Sequence, residues 1–320
     1  MIEISEIDEV VKKNLTSSKK SISLTFRSPR KDSFWKELND YILKENSNIE
    51  IILQSFLDYN FDNILFLSRL TNLNRLKIIS PTLKDVSVLA EIPNLKNLTL
   101  STHTETSLEV LKSVPNLESL SLVWDKEDYE SLASLSKLRR FSLSYLDDVS
   151  DEILSFLTSS LSSLTINDSP INNSEKLFRL NNLSYLSLND IENLYNIDFI
   201  LNLGKSLIYL DLSNLTEVRS LPDFSSSHII EKISLSNMEK LINIRGIKNL
   251  KSLKEFSIMN EDKGSIAIEE FEVLTQLSDL NFASINFMEN NDLTTKVNDF
   301  LVKNGIQIRE ATDEKYINLR

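Results

Sequence analysis

The chain has 320 residues, 41% of them hydrophobic, enough for a continuous core, and its 4 Gly and 6 Pro argue against collagen-like or long flexible segments. Its 47 acidic against 35 basic residues give a net charge of −12, which disfavours phosphate-backbone binding and hence nucleic acid as a partner. Cysteine is absent, which removes disulfides, thiolate metal sites and Cys-nucleophile mechanisms together.

Taken in chain order, the first fifteen residues, MIEISEIDEVVKKNL, lack the apolar run of a signal peptide. No stretch reaches the roughly 18 apolar residues of a membrane span, so the expectation is a cytoplasmic chain without membrane insertion, leaderless secretion staying open. Ile22/Leu24 and Ile49/Ile51 read as two short strands. Between them, Asp32-Ser33 is expected to cap a helix carrying Phe34, Trp35, Leu38, Tyr41 and Ile42 at helical spacing.

From there one phrase, L-x-x-L-x-L, returns ten times. It reads Leu73-Leu76-Ile78, Leu95-Leu98-Leu100, Leu117-Leu120-Leu122, Leu138-Phe141-Leu143 and Leu161-Leu164-Ile166 in the first half. It continues as Leu183-Leu186-Leu188, Leu207-Leu210-Leu212, Ile230-Ile233-Leu235, Leu253-Phe256-Ile258 and Leu277-Leu280-Phe282. The middle residues are spaced by 21 to 24 positions. Period-two alternation turns both inner leucines to one side of a short strand. The remaining residues of each repeat suffice for the crossover that parallel strands need, and carry their own apolar side chains, as in Leu108-Val110-Leu111-Val114. Ile-Pro-Asn-Leu at 92–95 and Val-Pro-Asn-Leu at 114–117 mark the corner into the next strand. At the far end, Asp292 to Lys303 is expected to be a helix ending near Gly305, before an edge strand at Ile306/Ile308. The expected organisation is an N-terminal α/β cap over 1–60, regular repeats over 61–285 and a C-terminal cap over 286–320, with about thirteen strands.

On these motifs the chain resembles the leucine-rich-repeat family from about residue 20 to 310. The resemblance implies an α/β fold: a right-handed solenoid with a concave parallel sheet and short helices or 3-10 turns on its convex side. It also implies a protein-binding module rather than an enzyme. The sequence departs from the family where many members carry Asn or Cys three residues after the last strand leucine. That slot holds Pro81, His103, Asp125, Leu146, Ser169, Ile191, Leu215, Met238, Glu261 and Ile285, so the subclass is open and the usual polar ladder is missing there.

Alternation also fixes which positions face away from the core. Aromatic residues fall on that face in neighbouring repeats, at Trp124, Tyr145, Tyr185 and Tyr209, with Arg140, and with Asp168, Asp190 and Asp211 beside them. Aromatics and Arg dominate interface energetics, and the carboxylates would meet Lys or Arg on a partner. These eight residues are the expected partner-binding set; the competing reading makes the aromatics mutual packing and the Asp/Asn row turn formers.

Other constellations carry less. Gly204-Lys205-Ser206 lacks the glycine that a phosphate loop needs at position 199, which is Phe199. His103 and His228 lie five repeats apart, too far for a zinc site or a catalytic dyad. Asp147, Asp148, Asp151 and Glu152 lack the spacing of a calcium loop and suit a helix start. No cofactor is expected. The function read from these features is a non-catalytic, monomeric module binding another protein, with the acidic balance favouring a basic one. An inhibitor or immunity protein against a basic toxin, a host-directed bacterial effector and a scaffold are the alternatives. A repeat-bearing ubiquitin ligase is the enzymatic rival and lacks its cysteine; carbohydrate or lipid binding would want a deeper pocket than a repeat sheet offers.

Overall fold

The computed structural model of the protein describes residues 7–55, 60–146, 151–192, 194–203, 205–262 and 264–309. The chain forms two compact units, Met1–Asp147 with Phe156–Thr158, and Asp148–Ser155 with Ser159–Arg320.

The first unit carries strands β1 (Ile22–Phe26), β2 (Ile49–Gln54), β3 (Arg75–Ser80), β4 (Asn97–Thr102), β5 (Ser119–Val123) and β6 (Arg140–Ser144). Each pairs in parallel with the next, so that Leu76, Leu98, Leu120 and Phe141 align in one row and Ile78, Leu100, Leu122 and Leu143 in another. All eight are buried, which is the alternation of the sequence expressed as packing. Burying one such side chain contributes roughly 1.5–3 kcal/mol, so a stack of repeats is stabilised by leucines that no single repeat could cover. The return segments are 3-10 turns, at Ser87–Glu91, Glu109–Ser113 and Tyr129–Ser134. Short polar side chains set the first two starts: Asp85 accepts from the Ser87 N–H at 2.8 Å and Ser107 from the Glu109 N–H at 3.2 Å.

The N-terminal cap holds helix α1 (Glu9–Ser17) and helix α2 (Asp32–Glu37), the latter continued by a π-helical turn, Leu38–Leu43. Asp32 does not cap α2 as the sequence suggests; Lys31 stands at the N-cap and Asp32 lies in the first turn, where its charge suits the helix dipole. Phe34, Trp35, Leu38 and Ile42 are buried as expected, while Tyr41 is exposed. Trp35 meets Phe26 and Phe34 edge to face, with ring centroids 4.8 and 5.4 Å apart, and stacks on Phe66 at 4.6 Å.

The second unit carries β7 (Ser163–Asn167), β8 (Tyr185–Asn189), β9 (Tyr209–Ser213), β10 (Lys232–Ser236), β11 (Glu255–Asn260), β12 (Phe282–Phe287) and β13 (Gln307–Ile308), each paired in parallel with the next. Helix α3 (Asn291–Lys303) covers its end and stops where Gly305 takes a φ of 86°, as the sequence suggests.

One repeat is corrected. Phe256 pairs with Ala283 and Ile258 with Ile285, so the last full repeat reads Leu280-x-x-Ala283-x-Ile285, not Leu277-Leu280-Phe282. Two overlapping phrases compete there, and the backbone chooses. The Lys254 and Glu255 N–H groups share the Glu231 carbonyl, and one repeat later the Asn281 and Phe282 N–H groups share that of Lys254. The longer return turn, Ile268–Gln276, takes up the three extra residues. Phe282, Ser284 and Asn286 therefore occupy the outward positions in place of Asp279 and Asn281.

Candidate functional site

The outward face of the first unit is built from the residues that alternate with the buried leucines. Arg75, Lys77, Thr99, Ser121, Arg140 and Ser142 are all partly exposed on it. At the far end of the strands, β3 and β4 run one residue further than β5 and β6, and their last residues, Ser80 and Thr102, are fully buried. In β5 and β6 the chain leaves the sheet instead, through Trp124 (φ 63°) and Tyr145 (φ 61°). A left-handed backbone costs an L-residue about 1–2 kcal/mol, and bulky residues seldom adopt it. The Trp124 N–H still donates to the Ser144 carbonyl at 2.9 Å, so the ladder is unbroken; Tyr145 projects with 53% of its surface exposed.

Below Trp124 lies a buried cation. The Lys126 ammonium, in a residue 5% exposed, donates to the carbonyls of Val123 (2.7 Å), Asp125 (2.9 Å), Trp124 (3.2 Å) and Thr102 (3.3 Å). Tyr129 closes the loop: its hydroxyl accepts from the Lys126 N–H at 2.8 Å and donates to the Asp125 carboxylate at 3.0 Å. Burial pushes the Lys126 ammonium down to about 8, against the opposing charge of Asp125. Sequence reasoning missed Lys126, because its Asp-Lys-Glu-Asp surroundings read as a solvated loop.

On the second unit the tyrosines are covered by their neighbours. Tyr185 and Tyr209 lie on the outward side of the strands, yet they are buried, with rings edge to face and centroids 5.0 Å apart. The Tyr185 hydroxyl donates to the Asp211 carboxylate, as does Ser187, each at 3.2 Å. The buried Lys232 ammonium sits 4.8 Å from the Tyr209 ring centroid and 3.8 Å from the Glu255 carboxylate. Arg309 reaches Glu255 at 2.8 Å and lies over the Phe282 ring. Neighbours on the strands thus complete one another, a lateral network that single-strand alternation does not reveal.

Asp168, Asp190, Asn214 and Asn237 stand where Trp124 and Tyr145 do in their own repeats, with φ values of 42°, 55°, 53° and 50°. Their N–H groups donate to the next strand: Asp168 to Asn189 at 2.9 Å and Asp190 to Ser213 at 3.0 Å. Asx residues tolerate this conformation, which accounts for the Asp/Asn row without a ligand; the Asp168 and Asp190 carboxylates are nevertheless exposed. A polar ladder is present after all, one position earlier than the family slot at Asn214 and Asn237 and two earlier at Asn189. It runs from Asn189 through Asn214 to Asn237, which the repeat spacing of Asn214 and Asn237 marks in the sequence.

The structure thus brings Tyr185, Tyr209 and Asp211 into contact, sets Trp124 and Tyr145 on consecutive strand ends, and places Arg140 at the other end of the strand that leads to Tyr145. Asp147, Asp148 and Gly204 lie outside the described residues. His103 accepts from the Glu105 N–H at 3.1 Å, and His228 packs on Phe224 with centroids 5.4 Å apart. Among the described residues no group of His, Asp and Glu is placed to hold a metal ion, and no helix is long and apolar enough to cross a membrane.

No family model and no curated protein matches the sequence. Among solved structures, the chain is similar to an internalin (inlF) of Listeria monocytogenes at 18% identity and a TM-score of 0.46, covering 84% of this chain and 82% of that one. A leucine-rich-repeat protein of Leptospira interrogans is similar at 13% identity and a TM-score of 0.42, covering 96% and 93%. Internalin C2 of Listeria monocytogenes is similar at 19% identity and a TM-score of 0.33, covering 76% and 84%. By its own strand register and its repeated L-x-x-L-x-L phrase, the chain has the leucine-rich-repeat fold.

Proposed function

We propose that the chain is a non-catalytic protein-interaction module that seats a partner protein on the outward face of its strands. One observation carries the reading: two bulky aromatics, Trp124 and Tyr145, occupy left-handed strand exits that Asp or Asn fills in the repeats of the second unit. Strain retained at the exposed Tyr145, with the half-buried Trp124 beside it, where a turn former would fold more easily, supports residues kept for contact rather than for stability. The face between these aromatics and Arg140 is rich in hydroxyls, Ser121 and Ser142 among them, which suits the polar contacts of a protein surface.

Site-specific photo-crosslinking tests this. A crosslinker at Ser121 or Ser142 is expected to capture one discrete protein, and Trp124→Ala or Tyr145→Ala to abolish that capture. The same crosslinker at Lys112 or Ser136, on the exposed return segments, is expected to capture nothing discrete. Equal labelling from both sets of positions would sink the reading.

A further inference from the structure

We infer that the partner surface docking on the first unit is acidic, held by Arg75, Lys77 and Arg140 beside the Trp124–Tyr145 aromatic edge. This rests on the interaction-module reading and names the partner's chemistry. Across the six strands of the first unit the cations are Arg75, Lys77 and Arg140, and Glu50 is the lone carboxylate. Glu50 accepts from the Ser23 hydroxyl at 3.0 Å and pairs in register with Arg75 without an ion pair, so the strands carry a net charge of about +2. None of the three cations has a side-chain hydrogen bond or ion pair among the described residues, and the Arg75 Nε is buried without a partner. The second unit's sheet is the opposite case: Lys232 and Arg309 both meet Glu255, and Asp211 accepts from the Tyr185 hydroxyl within the fold. Three exposed lysines elsewhere on the first unit are paired, Lys84 with Glu105, Lys96 with Glu118 at 3.0 Å and Lys112 with Glu109 at 2.8 Å.

Geometry makes the three cations one surface. Arg75 and Arg140 lie in one row, joined through Asn97 and Ser119, so their backbones lie about 14 Å apart at the usual strand spacing, and Glu50 stands next to Arg75 on the other side. Lys77 follows Arg75 on the same side of β3, and Thr99, Ser121 and Ser142 fill the floor beside it with hydroxyl donors. Guanidinium forks bind carboxylates in pairs, and hydroxyls add donors without adding charge. The net charge of −12 points toward a basic partner at long range, but its field is screened over about 8–10 Å in physiological salt. At contact distance the local cations decide. Three cations spread among hydroxyls, on a chain so acidic, favour an acidic protein segment over nucleic acid, which needs a continuous basic track.

The test uses the full chain and three labelled probes: an unstructured Asp/Glu-rich peptide carrying one aromatic residue, its Lys-rich counterpart, and a single-stranded oligonucleotide. The acidic peptide is expected to bind in a salt-dependent manner, the other two far more weakly. Arg75→Gln/Lys77→Gln/Arg140→Gln is expected to weaken it about tenfold or more, a few-fold per cation. A control with the same change of net charge, Lys112→Gln/Lys240→Gln/Lys248→Gln, is expected to leave it within about twofold. No binding of the acidic peptide, equal losses in the two triple variants, or tighter binding of the oligonucleotide through the same residues would each overturn the inference. The two readings fail separately: capture at Ser121 that survives the first triple variant leaves the interaction module standing and removes the acidic partner, whereas no discrete capture at Ser121 in the unaltered chain removes both.

Discussion

The Asn237 side-chain amide donates to Oδ1 of Asn214 at 3.1 Å, and Asn214 donates in turn to Asn189 at 2.8 Å. Asn237 then accepts from the Glu261 N–H at 3.1 Å, so the chain of amides spans four strands. Both ladder residues sit at left-handed φ, a conformation that Asn tolerates better than most residues. Asn214→Ala removes a donor and an acceptor and leaves the backbone strained, an expected loss of about 2–3 kcal/mol. Asn214→Asp keeps the turn and loses one donor, for about 1 kcal/mol. Urea titration of the full chain reads both, and a midpoint unchanged in Asn214→Ala would show that the ladder stabilises nothing.

The legible parts of the fold were those that repeat. Leu98, Leu120 and their equivalents recur at a fixed period, and Gly305 ends α3 by a rule that needs only local sequence. The β12 register was not legible, because Leu280 is the middle of one phrase and the start of another, and only the carbonyl of Lys254 decides between them. On the candidate face, alternation correctly put Tyr185 and Tyr209 opposite the core. It could not tell that each would be covered by its neighbour, since burial there comes from adjacent strands more than twenty residues apart in sequence. Lys126 was hidden for a related reason: its ligands are backbone carbonyls, which every residue has.

Tyr145 separates stability from contact. With φ at 61° and half its surface exposed, it adds strain and little packing. Tyr145→Gly relieves the strain at some cost in unfolded-state entropy, so stability is expected to hold within about 0.5 kcal/mol or to rise. Tyr145→Val, β-branched at the same φ, is expected to lose about 1–2 kcal/mol. Crosslinking from Ser142 is expected to fail in both variants. A Gly variant that lost stability strongly would mean that Tyr145 is held for packing.

Lys126 predicts a pH dependence of definite sign. In the folded chain its proton leaves at about 8, and in the unfolded chain at the ordinary 10.5. Between those values the unfolded state binds more protons, so stability rises with pH, by a total on the order of 3 kcal/mol. Below pH 8 the cost of the buried charge is constant. Denaturation midpoints measured from pH 7.5 to 10.5 should show this rise, and Lys126→Met should remove it. A wild-type profile falling across that window would contradict the burial argument.

Gly246 is placed by close approach. A Cβ there would lie 2.6 Å from the Leu221 carbonyl oxygen and closer still to that of Pro222, while the Gly246 carbonyl accepts from the Phe224 N–H at 2.9 Å. Both obstacles are backbone, so neither can rotate away. Gly246→Ala is therefore expected to part adjacent repeats and lose about 2–3 kcal/mol or more, seen as a lower melting temperature. Gly305→Ala meets no atom within 4 Å and loses only the left-handed preference, about 1 kcal/mol. Equal effects from the two substitutions would mean that the repeat spacing yields at Gly246.

Tyr209 carries the sharpest distinction between a residue that binds and one that holds the fold. It is 1% exposed, edge to face with Tyr185 and beneath the Lys232 ammonium. Tyr209→Ala is expected to lose about 3–5 kcal/mol, as truncating a buried aromatic does, and to leave Lys232 without its ring. Such a variant would also score as defective in any binding assay, because the second unit would open under mild conditions. Tyr185→Phe avoids the confusion: the ring packing stays, and the 3.2 Å bond to Asp211 is lost, at about 1 kcal/mol. If the tyrosine pair is structural, Tyr185→Phe lowers the unfolding midpoint slightly and leaves partner capture intact. Capture lost with an unchanged midpoint would instead assign the Tyr185 hydroxyl to the interface.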